Sequence, residues 1–161
     1  MATLKVKIQE DIVLSNQDYG SKRTLEISSI TEVVKRIVSV STTETGLLGF
    51  ATTSATDLSK SYLAGLFDED NVRYIRITNL DSSNSVNISL QLDSGEDNSA
   101  ADLSMTHLLE AGRSFLMGAP DEGVHSDDDS ATIVTALTDL ESIIVDPGSN
   151  SGQVEVFVAS T

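Results

Sequence analysis

The sequence predicts an all-β fold: an antiparallel, jelly-roll-like β-sandwich with at most one short helix. Short runs in which apolar and polar residues alternate recur along the chain, and stretches rich in Gly, Asn, Asp and Ser separate them. Hydrophobic residues make up 39% of the 161 residues and aromatic residues 4%, so we expect a thin core of Val, Ile and Leu. No linker or internal repeat divides the chain, which predicts a single β-sandwich domain over residues 1–161.

The N-terminal 40 residues are predicted to form several strands. Residues 3–8 alternate apolar residues with lysines, a pattern typical of a strand and not of a signal peptide. Residues 12–14 are expected to form a second short strand, residues 15–22 a turn, and residues 24–30 and 32–40 two further strands. The segment ITEVVKRIVSV, residues 30–40, also fits the spacing of an amphipathic helix, but its many β-branched residues favour a strand.

The best candidate for a helix lies in the middle of the chain, after a short strand expected at residues 47–50. In Asp57–Phe67 three apolar residues lie four apart, and Asp57 could cap the first turn. These three residues are Leu58, Tyr62 and Leu66. The alternative is a surface loop that packs Tyr62 and Phe67 on a neighbour.

The clearest pattern lies between Val72 and Leu92, which we interpret as a central β-hairpin. Two alternating runs flank Asn79–Ser85, whose Asp, Asn and Ser side chains are of the kind that bond their own backbone in turns. The apolar residues of both runs are expected to form the middle of the core: Ile75, Ile77, Val86, Ile88, Leu90 and Leu92.

The C-terminal half continues the same pattern. Residues 103–109 and 113–117 flank a turn that contains Gly112, which predicts a hairpin or a corner of the sandwich. Gly118–Ser130 is the longest loop, and strands are expected at residues 131–137, 140–145 and 153–159. In the last of these, valines alternate with Glu155 and Phe157.

The composition excludes several classes of partner. Ten basic against 25 acidic residues give a net charge of −15, which repels phosphates and anionic lipid, so we expect neither nucleic acid nor membrane as a partner. The absence of cysteine removes disulfides, thiolate metal sites and Cys nucleophiles. No run approaches the roughly 18 apolar residues of a membrane-spanning helix, so a soluble protein made in the cytosol is predicted.

No motif for catalysis, cofactor binding or metal binding stands out, and we assign no site residue to any of these roles. GxSxG, GxGxxG and GxxxxGK[ST] sequences are absent, so an enzyme has little support. The strongest charged feature is an acidic loop, for which a solvated loop is favoured over a calcium site because the spacing differs from that of an EF-hand. Its acidic residues are Asp121, Glu122, Asp127, Asp128 and Asp129.

The remaining candidate residues are two histidines and a few cations. Two histidines are too few for a three-His zinc site, although His125, near Asp127, could add to a mixed site. His107 is expected to be a half-buried strand residue. The cations Lys35, Arg36, Arg73 and Arg76 are expected to pair with acidic residues of an adjacent strand or subunit.

Four segments carry a resemblance to a known class of proteins. ISSITEVVKRIVSVSTTE at residues 27–44, VRYIRITNLDSSNSVNISLQL at 72–92, LLEAGRSFLMG at 108–118 and the terminal VEVFVAST resemble small virion proteins of tailed bacteriophages, particularly marine ones. The resemblance implies a structural role as a capsid decoration or cement protein. It implies binding to the phage major capsid protein on the capsid exterior, after synthesis in the host cytoplasm. It also implies a homo-oligomer, with a trimer as one arrangement.

Two alternatives stay open. A tail or neck component would belong to the same class of virion proteins. A calcium- or carbohydrate-binding β-sandwich module would belong to another class, although the low aromatic content argues against stacking on sugars.

Overall fold

Strands dominate the computed structural model, which describes residues 1–50, 66–92, 103–118, 125–126 and 138–161. Among these residues the only helical segment is a 3₁₀ turn at Glu69–Asn71, and no helix could span a membrane. The strands are β1 (Ala2–Glu10), β2 (Val13–Leu14), β3 (Gln17–Asp18), β4 (Ser21–Ile30), β5 (Glu32–Val40), β6 (Thr45–Phe50), β7 (Leu66–Phe67), β8 (Val72–Asn79), β9 (Val86–Leu92), β10 (Leu103–Leu109), β11 (Ser114–Gly118), β12 (His125–Ser126), β13 (Thr138–Asp146) and β14 (Gly152–Ser160).

Two of the sheets pack face to face. The four-stranded sheet has the order β11-β8-β14-β5, and the other has the order β10-β9-β13-β6-β7 with β12 paired to β13. Every pair is antiparallel except β6 with β7, which is parallel. The predicted all-β sandwich of antiparallel sheets is therefore confirmed.

The core consists of the inward-facing side chains of both sheets. Strand β9 shows the pattern well, because its apolar residues are buried and its polar residues are partly exposed in strict alternation. The six residues predicted for the middle of the core are all at most 2% exposed: Ile75, Ile77, Val86, Ile88, Leu90 and Leu92. In β14, Val154, Val156 and Val158 are completely buried, as the alternation of that strand indicated.

The predicted central hairpin is wrong, although both of its strands exist. Strand β8 lies in the four-stranded sheet between β11 and β14, whereas β9 lies in the other sheet between β10 and β13. Residues 80–85 therefore cross from one sheet to the other and form a corner of the sandwich. The turn between β10 and β11 is likewise a corner, since β10 pairs with β9 and β11 pairs with β8.

A single buried side chain connects these two corners. The Asn79 side-chain amide donates to the Asn84 carbonyl at 2.8 Å and to the Leu109 carbonyl at 3.1 Å, and its oxygen accepts from the Asp81 amide at 3.0 Å. The Asn79 backbone donates to the Arg113 carbonyl at 2.9 Å. The side chain is thus satisfied although Asn79 is 0% exposed.

Several local predictions can be compared with the strands. Residues 32–40 form a strand and not a helix, and pair with β14 over nine consecutive positions. Residues 17–18 of the predicted turn form β3, and residues 125–126 of the predicted long loop form β12. Of the proposed helix Asp57–Phe67, residues 57–65 lie outside the described part, and Leu66–Phe67 form a short strand and no helix. The strand predicted at residues 131–137 also lies outside it.

Candidate functional site

The most distinctive feature outside the sandwich is a long β-hairpin formed by residues 1–30, which we call the arm. Strand β1 pairs with β4 from Leu4 with Ile27 out to Glu10 with Ser21, and β2 pairs with β3 at the tip. Ser15 and Asn16 connect β2 to β3 with φ of 53° and 64°, values that fit a two-residue type I′ turn.

A bulge fixes how the arm meets the sandwich. Ser29 has φ of 62°, and the register between β1 and β4 shifts between Ala2 and Leu4. The extra residue places Ile27 and Ile30 on the same side of the strand although they lie three apart, and both are at most 3% exposed. Without the bulge, strict alternation would turn one of these two residues to solvent.

The base of the arm packs on the outer face of the four-stranded sheet. Ile27 and Ile30 form a second hydrophobic cluster with Tyr74 and Ala159, whose neighbours Ile75 and Val158 face the main core. Tyr74 makes an edge-to-face contact with Phe157, with ring centroids 5.9 Å apart. Burial raises the pKa of Tyr74, and the positive charge of Arg76 partly opposes this rise. The arm residues Leu4, Val6 and Leu25 complete this cluster.

Beyond its base the arm keeps its apolar character but has no cover among the described residues. Ile8 follows Leu4 and Val6 on the same face of β1, yet it is 48% exposed, and the residues toward the tip are more exposed still. The exposed fractions are 54% for Ile12, 72% for Val13, 62% for Leu14 and 58% for Tyr19. Such clustering of large apolar side chains, in contrast to an isolated exposed one, is typical of an interaction surface.

The arm also differs from the rest of the chain in charge. Residues 1–30 contain four of the ten basic and four of the 25 acidic residues, so the arm is neutral. Six basic and 21 acidic residues remain in residues 31–161, which therefore carry the whole net charge of −15. On the solvent face of the arm, Lys5 pairs with Glu26 at 2.7 Å.

The outer face of the four-stranded sheet extends past the arm's base as a surface of mixed character. Glu155 lies at its centre, where its carboxylate contacts Lys35 at 3.1 Å and Arg76 at 2.5 Å. The hydrogen bond from Lys35 and that from Arg76 hold the pKa of Glu155 below its ordinary range, against the effect of desolvation. Around these charges the apolar residues Val33, Ile37 and Leu116 are 52%, 58% and 47% exposed.

The predicted pairing of cations with acidic residues is confirmed for two of the four residues. Lys35 and Arg76 pair with Glu155 of the adjacent strand, as expected. Arg36 instead points between the sheets and donates to the Leu47 carbonyl, and desolvation lowers its pKa. Arg73 donates to the Asp70 carbonyl at 2.6 Å.

Within the part of the chain that the structure describes, the other candidate residues form no common site. The acidic residues between 121 and 129 lie outside the described part. His107 lies on β10 as predicted, but it is exposed and not half-buried, with its ring 5.7 Å from that of Phe115. His125 begins β12 in the same sheet. In the described ranges no group of three or more His, Cys, Asp or Glu residues could hold a metal ion.

Two shallow depressions occur at the corners of the sandwich. One lies beside Asp81 and Gln153, and the other beside Asn84 and Asp146. Both linings contain several serines and an aspartate, and asparagine occurs only in the second, but neither lining contains His, Lys or Arg. Neither depression therefore offers a serine the His or Lys that usually activates it as a nucleophile.

The fold and the arm define the class of this protein as an all-β sandwich with an N-terminal hairpin arm. No protein-family model matches the sequence, and none of the curated proteins matches it. A solved structure reported under the words "Bacillus endospore appendages form a novel family of disulfide-linked pili" aligns with a TM-score of 0.36 and 8% identity. The alignment covers 83% of this chain and 91% of that chain. A likeness this low carries no argument about fold or function.

Reasoning from the sequence missed the arm as a candidate functional element. The alternation of Leu4, Val6 and Ile8 correctly predicts a strand, but it is the same alternation that a core strand shows. A better signal was available in the tip, where Ile12, Val13 and Leu14 are consecutive and lie between charged or polar residues. Three consecutive apolar residues cannot all face one side of a strand.

Proposed function

We propose that this chain is a structural subunit of a multi-copy assembly: a virion protein of a tailed phage, acting as a capsid decoration or cement protein. The observation that carries the proposal is the arm, because a structured hairpin with five large apolar residues exposed toward its end is suited to binding another protein. An exposed surface of this kind lowers solubility unless a partner covers it.

The charge distribution supports the same role. A body that carries 15 net negative charges keeps particles apart in solution, while the neutral arm can approach another surface without electrostatic repulsion. A decoration protein binds in many copies, so each copy needs only a moderate contact with the capsid shell and with its neighbours. The resemblance of four segments to virion proteins of tailed phages supplies the particular particle, with the major capsid protein and further copies of this chain as partners.

The described residues favour binding over catalysis. The linings of the two depressions at the sandwich corners contain neither His nor Lys to activate a serine, and Glu155 on the outer sheet face is held by two cations and is not available for proton transfer. We therefore propose that the chain is not an enzyme and needs no cofactor.

The test is to locate the protein in particles purified from the virus that encodes it. Mass spectrometry of the purified particles is expected to find the chain in many copies, and gold-labelled antibody is expected to mark the head. Label on the tail or neck would favour the alternative role there. Particles that lack the chain would contradict a virion role altogether.

Calcium titration of the purified protein separates the second alternative. We expect neither binding heat nor a change in melting temperature, because the role proposed here needs no metal. A calcium-dependent rise in melting temperature would instead favour a calcium-binding module, with Asp121–Asp129 as the first segment to mutate.

A further inference from the structure

We propose that the distal half of the arm docks on a second copy of this chain, on the part of the outer face of the four-stranded sheet that the second copy's own arm leaves open. This inference rests on the proposed assembly role and names the partner and both contact surfaces. The apolar face of the arm serves two different purposes along its length.

At its base this face is already used as a docking surface. Leu4, Val6, Leu25 and Ile27 pack on Tyr74, Phe157 and Ala159 of the sheet. Ile8 continues the same face but is 48% exposed, and the apolar residues of the tip follow it. From Ile8 to the turn at Ser15 the arm extends by about seven residues, or roughly 25 Å at the rise of a β-strand. Its apolar face therefore reaches well past the contact it makes within its own chain.

The receiving surface lies on the same sheet face as the part that the arm's base covers, and it combines exposed apolar residues with a charged group. Two residues that pair across neighbouring antiparallel strands point to the same face of the sheet. Val33 pairs with Ala159 and Ile37 with Glu155, so both lie on the outer face. Leu116, on the opposite edge strand, shares it with its partner Arg76. These three exposed apolar residues flank the Lys35–Glu155–Arg76 group and continue the cluster under the arm.

Charge is compatible with a second copy as the partner and disfavours a lipid surface. Two bodies that each carry the full net charge of −15 repel one another, but a neutral arm that reaches from one to the other keeps them apart while it makes the contact. A lipid surface fits less well, because Glu10, Asp11 and Asp18 lie among the apolar residues of the tip and would enter the headgroup region with them.

Each copy then has one arm and one receiving face, which are different surfaces. The contact is heterologous: it closes into a ring when the rotation between copies allows it and otherwise grows into a filament. In a closed ring every copy makes two such contacts, one through its arm and one through its sheet. A trimer is the smallest ring beyond a dimer.

The experiment uses one variant for each surface and a matched control. Val13→Asp/Leu14→Asp places charges in the tip, and Ile37→Asp places one on the receiving face. Leu108→Asp is the control, because Leu108 is 57% exposed, against 58% for Ile37, but lies on the outer face of the other sheet, opposite Asn87. Circular dichroism confirms that each variant is folded, and Ile37→Ser replaces Ile37→Asp if the latter is not.

Sedimentation velocity over the micromolar range measures self-association. We expect the wild-type chain and Leu108→Asp to form the same oligomer, and each of the other variants to associate about tenfold more weakly or not at all. Mixing the arm variant with the sheet variant should restore one productive contact, between the intact arm of one and the intact face of the other. A heterodimer that neither variant forms alone is the expected result.

Three results would overturn the inference: a wild-type chain that stays monomeric, an oligomer that Ile37→Asp leaves intact, or a mixture that forms no heterodimer. Flotation with phosphatidylcholine vesicles, with and without phosphatidylserine, provides a further check. Binding of the wild-type chain that the arm variant loses would assign the tip to lipid instead. None of these results bears on whether the chain is found in virus particles, so this inference and the proposed function can fail independently.

Discussion

The corner between β8 and β9 depends on Asn79, and Asn79→Ala tests this dependence directly. The substitution leaves three groups without their partner: the Leu109 and Asn84 carbonyls and the Asp81 amide. The bond to the Leu109 carbonyl is buried and those to the other two groups are partly buried. Loss of a buried partner costs about 1–3 kcal/mol and of a partly solvated one about 0.5–1.5 kcal/mol, so we expect the free energy of unfolding to fall by about 2–6 kcal/mol.

The same corner contains a matched control. The Asn84 side chain makes only long contacts to Asp81, at 3.4 and 3.5 Å, and Asn84→Ala keeps the backbone carbonyl that Asn79 binds. We therefore expect Asn84→Ala to cost less than about 1 kcal/mol. Urea unfolding followed by far-ultraviolet circular dichroism suits the measurement, since the chain has no Trp for fluorescence. If Asn79→Ala costs no more than Asn84→Ala, the buried amide does not hold the corner.

A second substitution at this position has a distinct dependence on pH. Asn79→Asp keeps an acceptor for the Asp81 amide but places a carboxylate, which cannot donate, beside two carbonyls. Burial and the facing oxygens should raise the pKa of the introduced carboxyl, so the variant gains stability relative to the wild type as the pH falls and the group becomes protonated. A deficit that does not change between neutral and mildly acidic pH would contradict this account.

Two further predictions concern the outer sheet face and the arm. The pKa of Glu155 is lowered in the folded chain, so the stability that its carboxylate contributes is complete above the ordinary pKa of 4.5 and is lost as the pH falls through the lower, folded value. We therefore expect Glu155→Gln to be less stable than the wild type at neutral pH and to lose less stability than the wild type below pH 4.5, as measured by urea unfolding at each pH. Parallel stability curves for the two proteins would refute the assignment. Ser29 has a positive φ of 62°, a conformation that glycine adopts readily and that a β-branched residue disfavours. Ser29→Gly should therefore keep or raise the urea midpoint, whereas Ser29→Val should lower the free energy of unfolding by about 1–2 kcal/mol. The opposite order of stabilities would show that the bulge is not strained.

The sequence predicts which residues face the core better than it predicts which strands pair. Alternation in β8 and β9 correctly identified six core residues, because side chains on alternate sides of a strand follow from the backbone alone. The same alternation is satisfied whether the two strands lie side by side or in opposite sheets. Burial of Asn79 distinguishes the two cases, and it depends on contacts with Leu109 and Arg113 that lie at least 30 residues away.

The candidate site was harder to predict for a related physical reason. Leu4, Val6 and Ile8 form one apolar face of β1, yet only Leu4 and Val6 pack on the sandwich and Ile8 is exposed. The position at which the sandwich ends beneath the strand makes this difference, and the alternation of the sequence does not contain it. The bulge at Ser29 is equally hidden, since serine is not a residue that typically marks a positive φ. In contrast, the strand at residues 32–40 could be predicted, because its β-branched residues favour that conformation wherever the strand packs.

The edge of the four-stranded sheet bears on how the proposed contact through the arm avoids uncontrolled aggregation. Among the described strands β5 pairs only with β14, and an unpaired strand edge offers its backbone groups to any neighbouring strand. Lys35 is bound to Glu155 on the outer face, while Arg36 points inward and spans the gap to the Leu47 carbonyl of the opposite sheet. Charged residues on both faces of this edge disfavour pairing with an identical edge, where like charges would meet. We therefore expect the proposed association to use the faces and not the strand edges, because the apolar surfaces of the arm and of the sheet lie on the faces.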